Sequence, residues 1–398
     1  MRQESRYEYA RAIQARYRRA GRSEKGRILE EFCAATGYAR KYAIGLLGRQ
    51  DLVGRVRARR AMPTRRYGSA EVALLRGCWE LSDRLCGKRL GPFLPELLDR
   101  LAGCGALPEE VTAAVVERVA QMSPATIDRL LRSAKAGWPQ RGRGTTKPGT
   151  LLKQQVPIRT YADWDDARPG FLEADLVAHC GASGAGEFLF TVSAVDVATG
   201  WMALQGVRNK SELAVFAALE QLRAELPFPL LGLDADNGGE FINRNLLAYC
   251  QAERITLTRS RPYRKNDNCH IEQKNWSVVR LVGYGRFEGN ALGRLNALYG
   301  LARDYVNFLQ PVRKLVDKTR DGPKVTKRYD QAATPYRRLV ATGSLVPDVA
   351  TALADRSAGL DPVRLKLAID DAQQALYERA VRSDLPVRHR CGAGQIFR

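Results

Sequence analysis

Three carboxylates in the middle of the chain have residue types and spacing that could hold divalent metal ions. Asp175 lies in FLEADLVAH, Asp236 in LGLDADNGGEF and Glu272 in NDNCHIEQKNW, and thirty-five residues, 237 to 271, separate the last two. Mg²⁺ prefers oxygen ligands, and two such ions about 3.5–4 Å apart can activate an attacking hydroxyl and stabilise the leaving oxygen. The trio is therefore a candidate site for phosphodiester chemistry with Mg²⁺, or with Mn²⁺ in its place.

The elements around these residues would place them at strand ends and on a helix. Leu231, Leu233 and Ala235 alternate with polar or small residues until Asn237 begins a turn, so Asp236 is expected at the tip of a strand. Asp175 falls in a second apolar strand, and Glu272 in the first turns of a helix. We assign Asp175 to bridge both ions and the other two carboxylates to hold one ion each.

Other carboxylates compete for these roles. Asp234 is the strongest rival, because it lies two residues before Asp236 and so on the same strand face. Glu173 is expected near the site and Asp267 at a helix N-cap. Asp196, in SAVDVATGW, is interpreted as a turn residue. Asp236 is preferred over Asp234 because it directly precedes the Asn-Gly turn and gives the spacing described next.

An Asp, then Asp-Asn-Gly-x-Glu-Phe, then a Glu after thirty-five intervening residues resembles the catalytic core of the DDE transposase and retroviral integrase superfamily. The resemblance covers about residues 155 to 300. Residues 262 to 275, PYRKNDNCHIEQKN, also resemble the segment that holds the last carboxylate in bacterial insertion-sequence transposases. The chain departs from retroviral integrases in having no His before 179, and so no N-terminal His-His-Cys-Cys zinc module.

The resemblance implies a fold and an activity. The expected fold class is α/β: a ribonuclease H-like core with a five-stranded mixed sheet, preceded by all-α helix-turn-helix modules and followed by a small β/α C-terminal region. The implied enzyme is a DDE-type polynucleotidyl transferase that cleaves at mobile-element ends and joins the 3′-hydroxyl to target DNA. Its implied partners are double-stranded DNA, at the element ends and the target, and further copies of the chain on paired ends.

Composition also points to nucleic acid. The 398 residues have a formal net charge of +21, and residues 1 to 70 hold 18 Lys and Arg against 6 Asp and Glu. We find no apolar run of membrane-span length and no signal-like N-terminus, so we expect a cytoplasmic, nucleoid-associated protein. The eight cysteines form no C-x-x-C pair. His179-Cys180 with Cys269-His270 is a zinc alternative, but sequence neighbours on a strand point to opposite faces.

The chain is expected to divide into five regions, at 1–68, 69–135, 136–154, 155–300 and 301–398. In the first region the sequence predicts a helix, a turn at Gly37 and a second helix. This arrangement is either a helix-turn-helix or an ordinary basic helical hairpin. Its two expected apolar faces are Ile28, Leu29 and Phe32, and Tyr38, Tyr42 and Leu46. Arg40 and Lys41 would face a DNA groove. The basic linker that follows would contact phosphates through Arg57, Arg59 and Arg60.

The second region is helical and could be another helix-turn-helix, with a reading helix over 124–135 capped by Ser123, or a plain packing domain. Residues 136–154 form a linker rich in Gly, Pro and basic residues. The core is expected to contain, in this order, three strands, a helix, a strand, a helix, a strand and a helix. The basic loop before the last helix is interpreted as a clamp on a DNA end, through Arg264, Lys265 and Lys274, or else as a merely solvated loop.

Residues 301–398 are expected to bind DNA or to serve in assembly. Asp321-Gly322 between two basic arms predicts a hairpin or small barrel, and Asp361-Pro362 predicts the start of a helix that packs or dimerises. Two alternatives to a transposase stay open from the sequence. One is a catalytically inactive DNA-binding regulator on the same fold, and the other is a nuclease acting on the RNA strand of hybrids.

Overall fold

The computed structural model of the chain describes residues 3–49, 67–135, 168–235, 240–241, 243–259, 271, 281–283, 285–321 and 324–380. The chain splits into two units, which divide between residues 66 and 67. No helix in the described ranges is long and apolar enough to cross a membrane.

The first unit consists of the helices α1 (Gln3–Arg19), α2 (Arg22–Thr36) and α3 (Arg40–Leu47). Ile28, Leu29 and Phe32 are buried, as predicted. Gly37 ends α2 with a φ of 71°, a left-handed conformation that favours glycine, and its N–H donates to Cys33 O. The predicted helix, Gly37 turn and helix are thus present.

The predicted apolar face of the second helix is wrong at Tyr42. That residue is 43% exposed, and the buried face of α3 consists of Ala43, Leu46 and Leu47. Its ring packs edge-on against Tyr38 at 4.8 Å, and its hydroxyl lies 3.3 Å from that of Tyr7. The phenol is amphipathic, and here it lies across the surface while the aliphatic side chains of α3 fill the core.

The second unit begins with the helices α4 (Ser69–Leu81), α5 (Gly87–Gly103), α6 (Ala113–Ala120), α7 (Pro124–Leu130) and α8 (Arg132–Lys135). Ser123 caps α7 by accepting from Thr126 N at 3.3 Å, as predicted. The helix expected over 124–135 is interrupted at Leu131. At Gly87 a Cβ would lie 2.2 Å from Pro124 O, so only glycine allows α5 to approach α7 this closely.

A five-stranded sheet forms the centre of this unit. Its strands are β1 (Phe171–Ala178), β2 (Phe190–Asp196), β3 (Met202–Val207), β4 (Gly232–Ala235) and β5 (Thr256–Arg259), in the order β3-β2-β1-β4-β5. The first three strands are antiparallel neighbours, whereas β4 is parallel to β1 and β5 is parallel to β4. Parallel neighbours need crossover connections, and α9 (Glu212–Glu225) and α10 (Arg244–Ala252) lie in them. This mixed sheet with helices has the predicted ribonuclease H-like fold.

The outer edge of β3 is covered by α11 (Leu292–Leu309). The side-chain amide of Asn307 accepts from Met202 N at 2.8 Å and donates to Met202 O at 2.9 Å. Asn296 accepts from Gly206 N at 2.7 Å. These bonds satisfy backbone groups that an open sheet edge would leave unpaired.

The C-terminal region contains the antiparallel hairpin β6 (Leu315–Asp321) and β7 (Lys324–Tyr329), which confirms the hairpin predicted around Asp321. The helices α12 (Pro335–Ala341), α13 (Pro347–Ala358) and α14 (Pro362–Tyr377) follow. Asp361 caps α14 by accepting from Val363 N and Arg364 N, as predicted. Arg294 of α11 donates to Ala375 O at 2.7 Å, so α14 packs on the core. The predicted boundaries near 135 and 300 fall within this single unit.

Candidate active site

Asp175 lies on the central strand of the sheet. It pairs with Ser193 of β2, and its half-buried side chain accepts from Leu176 N at 2.8 Å through Oδ1. Glu173 lies two residues earlier and therefore on the same face of β1. Pairing within the sheet fixes the backbone of Asp175, and the residue is only partly buried.

The end of β4 lies beside this position. In the parallel register Glu173 pairs with Asp234 and Ala174 with Ala235. Ala235 is the last described residue of the strand, and Asp236 lies outside the described residues. The sheet therefore pairs the residue that precedes Asp175 with the residue that precedes Asp236.

Ile271 is held against β1. Its N–H donates to Glu173 Oε2 at 3.1 Å, and its side chain is fully buried. The spacing of Ile271, Asn275, Val278 and Val282 predicts one core stripe of a helix, and Val282 is also fully buried. Glu272, together with Asn275 and Val278 of the same stripe, lies outside the described residues. The residue directly before the third predicted ligand thus contacts the strand of the first.

The rival carboxylates have hydrogen-bonding roles within the fold. Asp234 is fully buried and accepts from Thr258 Oγ1 of β5 at 2.6 Å. Asp196 accepts from Thr199 N, Thr199 Oγ1 and Gly170 N, which confirms its interpretation as a turn residue. Burial raises the pKa of Asp196, and the hydrogen bonds from Thr199 and Gly170 oppose that shift. The proposed cap at Asp267 lies outside the described residues.

No group of three His, Cys, Asp and Glu side chains in the described part of the chain could hold a metal ion. Two of the three predicted ligands are outside that part. Of the zinc alternative, Cys269 and His270 are outside it as well. His179 is buried, with Nε2 2.7 Å from Thr191 Oγ1 and 3.3 Å from Tyr299 Oη. Burial lowers the pKa of His179 to about 4, so the neutral imidazole belongs to a polar network inside the core.

The predicted DNA-contacting residues are described only in α3. Arg40 and Lys41 are exposed at its start, and Arg40 lies 3.7 Å from Glu30. The other predicted contacts lie outside the described residues; they are Arg57, Arg59, Arg60, Arg264, Lys265 and Lys274.

A cleft that the sequence did not indicate opens beside β1. Its volume is about 580 Å³, and Leu176 and Ala178 line it from the face of β1 opposite to Asp175. Phe188 and Phe190 line it, together with Arg208 and Lys210. The signal in the sequence was two cations directly after a strand, in VRNK, but nothing there showed that two phenylalanines lie opposite them.

Comparison with known proteins gives one extensive relative. The uncharacterized protein y4rM of Sinorhizobium fredii (strain NBRC 101917 / NGR234) is 42% identical over 339 residues, which cover 84% of this chain and 95% of that protein. No protein-family model matches the chain.

Among solved structures, the catalytic core domain of BIV integrase is similar over 44% of this chain and 95% of its own, with 19% identity and a TM-score of 0.30. The HTLV-2 integrase catalytic core domain in complex with magnesium covers 37% of this chain and 93% of its own, with 15% identity and a TM-score of 0.29. Scores of this size carry no weight by themselves, so the fold assignment rests on strand order and direction.

Proposed function

The chain belongs to the family of the uncharacterized protein y4rM of Sinorhizobium fredii, and we propose that it is a DDE-type DNA transposase or integrase. In this proposal it cleaves DNA at the ends of a bacterial mobile element and joins the freed 3′-hydroxyl to target DNA. Asp175, Asp236 and Glu272 are the catalytic carboxylates.

One observation supports this assignment above all others. The residues directly before the second and third carboxylates are both fixed to β1 next to Asp175: Ala235 through its pairing with Ala174, and Ile271 through its bond to Glu173. Consecutive Cα atoms are about 3.8 Å apart, and neighbouring strands lie about 4.8 Å apart. The residues that precede the second and third proposed ligands, which are far apart in sequence, thus both lie beside the strand that holds Asp175.

The donor set fits magnesium or manganese. All three side chains offer carboxylate oxygens, the ligands that hard divalent cations prefer. Asp234 and Glu173, the nearest rivals, are fully buried and accept hydrogen bonds from Thr258 and Ile271, which leaves Asp175 as the accessible carboxylate of β1. Asp175 would bridge two ions, and Asp236 and Glu272 would each hold one. When bound, the ions supply activation of the attacking hydroxyl and stabilisation of the leaving oxygen.

In this proposal the fold positions the carboxylates. The hydrogen bond from Leu176 N orients Asp175, and Glu173 holds Ile271, the residue directly before Glu272. Such a site reads phosphate backbone and not base sequence, so choice of the element end requires another part of the chain. We assign this recognition to the N-terminal unit, where Arg40 and Lys41 are exposed at the start of α3.

The remaining cations would supply affinity. Arg57, Arg59 and Arg60 would contact phosphates next to the N-terminal unit, and Arg264, Lys265 and Lys274 would hold the DNA end beside the carboxylates. Residues 301–398 would bind DNA or join copies of the chain, because paired ends require a multimer.

The test uses a labelled duplex that carries the element's own end, with Mg²⁺ or Mn²⁺ against a chelator. We expect metal-dependent cleavage and joining by the wild type. Asp175→Asn, Asp236→Asn and Glu272→Gln should each lose more than about 100-fold, since even partners of metal ligands cost up to about that much. Glu109→Gln, an exposed carboxylate between α5 and α6, is the control and should keep full activity.

Each alternative gives a different result. Full strand transfer by a folded, DNA-bound Asp236→Asn variant would overturn the assignment. If Asp234→Asn lost metal-dependent cleavage and Asp236→Asn kept it, the metal role would belong to Asp234. Tight DNA binding without metal-dependent product in the wild type would favour a regulator, and cleavage restricted to RNA–DNA hybrids would favour a nuclease.

A further inference from the structure

The short helix α3 is fixed to the N-terminal unit at both ends. Gly37 turns the chain between α2 and α3. At the other end, Gln14 of α1 donates to Arg49 O at 2.7 Å, and Arg18 of α1 donates to the same oxygen. The buried side of α3 packs in the core of the unit through three residues, Ala43, Leu46 and Leu47. The fold of the unit therefore sets which side of α3 is turned to solvent.

The outward face of α3 combines two cations, one aliphatic side chain and one glycine. They occupy the first, second, fifth and sixth positions of the helix, and they are Arg40, Lys41, Ile44 and Gly45. All four residues are exposed, and Ile44 is 46% exposed. Because residues three and four apart are neighbours on a helix, Ile44 lies beside both cations. Such a surface suits a polyanion that also presents an apolar group.

The glycine on this face is not required by the packing of the unit. A Cβ at Gly45 would have no heavy atom within 4 Å, and the φ of Gly45 is not positive, so alanine would fit there without strain. Glycine inside a helix is less stable than alanine, because it loses more backbone freedom on folding. Gly45 thus weakens α3 without a reason in the fold, and its bare backbone lets another molecule approach closely.

The start of α3 suits an anion. Ala39 precedes the helix, and its side chain cannot accept from the first N–H groups. Arg40 lies 3.7 Å from Glu30, but both side chains are exposed, so this ion pair is weak. In the described part of the chain, Lys41 forms no ion pair with a carboxylate. These groups would contact DNA phosphates, which fix the position of the helix but carry no sequence information.

We infer that α3 reads a thymine in the major groove of the element end, with Ile44 against the C5 methyl group. The major groove admits an α-helix, and the thymine methyl is the apolar group that the bases present there. Gly45 would let the α3 backbone lie close to the base edges, while Arg40 and Lys41 contact the DNA around that base. This inference rests on the proposed function, since it takes the element end as the DNA. It adds a residue that distinguishes one base pair from another.

The first test removes only the methyl group. Each thymine of the element-end duplex is replaced in turn by uracil, and binding to the protein is measured by fluorescence anisotropy in chelator. We expect one replacement to weaken wild-type binding about fourfold, the effect of one buried methyl group. Ile44→Ala should bind the thymine and uracil duplexes equally well. Leu213→Ala removes an exposed leucine from α9 and is the control, which should discriminate as the wild type does.

The second test predicts opposite effects on folding and on binding. Gly45→Ala adds a methyl group to the outward face of α3 and should raise the denaturant midpoint, because alanine favours a helix. It should bind the element end at least about fivefold more weakly, the lower range for loss of one base contact. Gly300→Ala in α11 is the control, since a Cβ at Gly300 would also have no heavy atom within 4 Å. It should keep full DNA affinity.

Three results would each overturn the inference: no uracil position that weakens wild-type binding, the same loss at that position in Ile44→Ala, or full affinity of Gly45→Ala for the element end. The uracil series changes only the DNA, so it decides even if a variant fails to fold. Both tests are made without catalysis. Thymine reading by a wild type that forms no product would refute the proposed activity alone. Metal-dependent product without thymine reading would refute the role of Ile44 alone.

Discussion

Removal of the Glu173 carboxylate should separate catalysis from DNA binding. Glu173 Oε2 accepts from the N–H of Ile271, a fully buried residue 98 positions later in the chain. In Glu173→Ala that buried N–H loses this acceptor, at a cost of about 1–3 kcal/mol. At 1.36 kcal/mol for each factor of ten, cleavage should fall about 5- to 150-fold if this cost displaces Ile271 and, with it, the proposed ligand Glu272 that follows in the chain. Glu173→Gln retains an acceptor oxygen and should recover most of the activity.

The assay is single-turnover cleavage of the labelled end at saturating protein, with the folded fraction measured by circular dichroism. DNA affinity is measured separately by anisotropy and should not change. Asp196→Ala is the matched control, because Asp196 is also a buried carboxylate, is the last residue of β2 in the same sheet and accepts three hydrogen bonds. It should lower stability without lowering cleavage per folded molecule. Wild-type cleavage by folded Glu173→Ala, or an equal loss in Asp196→Ala, would refute the positioning role.

Three further predictions concern local features. The ring signals of His179, one of only three histidines, should titrate with a pKa of about 4 by NMR. Because the folded pKa lies below the ordinary 6.5, neutral His179 contributes up to about 3 kcal/mol to the free energy of unfolding above pH 6.5, and this contribution is lost as the pH falls toward 4. A pKa near 6.5 would contradict the burial of His179. Asp361→Ala should cost about 1 kcal/mol in denaturant unfolding by removing the cap of α14, and an unchanged midpoint would exclude that cap. Alkylation of the native protein at pH 8 should label exposed Cys86 and spare buried Cys78, because burial raises the pKa of Cys78 to about 12. Equal alkylation rates at the two cysteines would contradict this difference.

Much of the fold was predictable because it depends on neighbours in the sequence. Ser123 and Asp361 cap their helices through backbone groups two or three residues away, and Gly37 ends α2 by adopting a left-handed conformation. The same holds for the meander of β1 to β3 and for the hairpin around Asp321, whose turns join adjacent strands. Local hydrogen bonding and alternation of apolar residues are sufficient to specify such elements.

Helix periodicity was less informative about which side of α3 is buried. An i, i+4 pattern starting at Tyr38 selects Tyr42, but the core is filled by Ala43, Leu46 and Leu47. Tyrosine fits either environment, because its ring is apolar and its hydroxyl is polar. Only the positions of α1 and α2 decide between them.

The sequence by itself determined the kinds of elements, the charge that points to nucleic acid and the carboxylates that could hold metal. It did not determine which carboxylates accept hydrogen bonds from other segments of the fold. Asp234 is bonded to Thr258 of β5, and Glu173 to Ile271, across 24 and 98 residues. The cleft is likewise formed by segments around 176, 188 and 208. Contacts between distant segments depend on strand order and register, and these are set by the packing of the whole sheet.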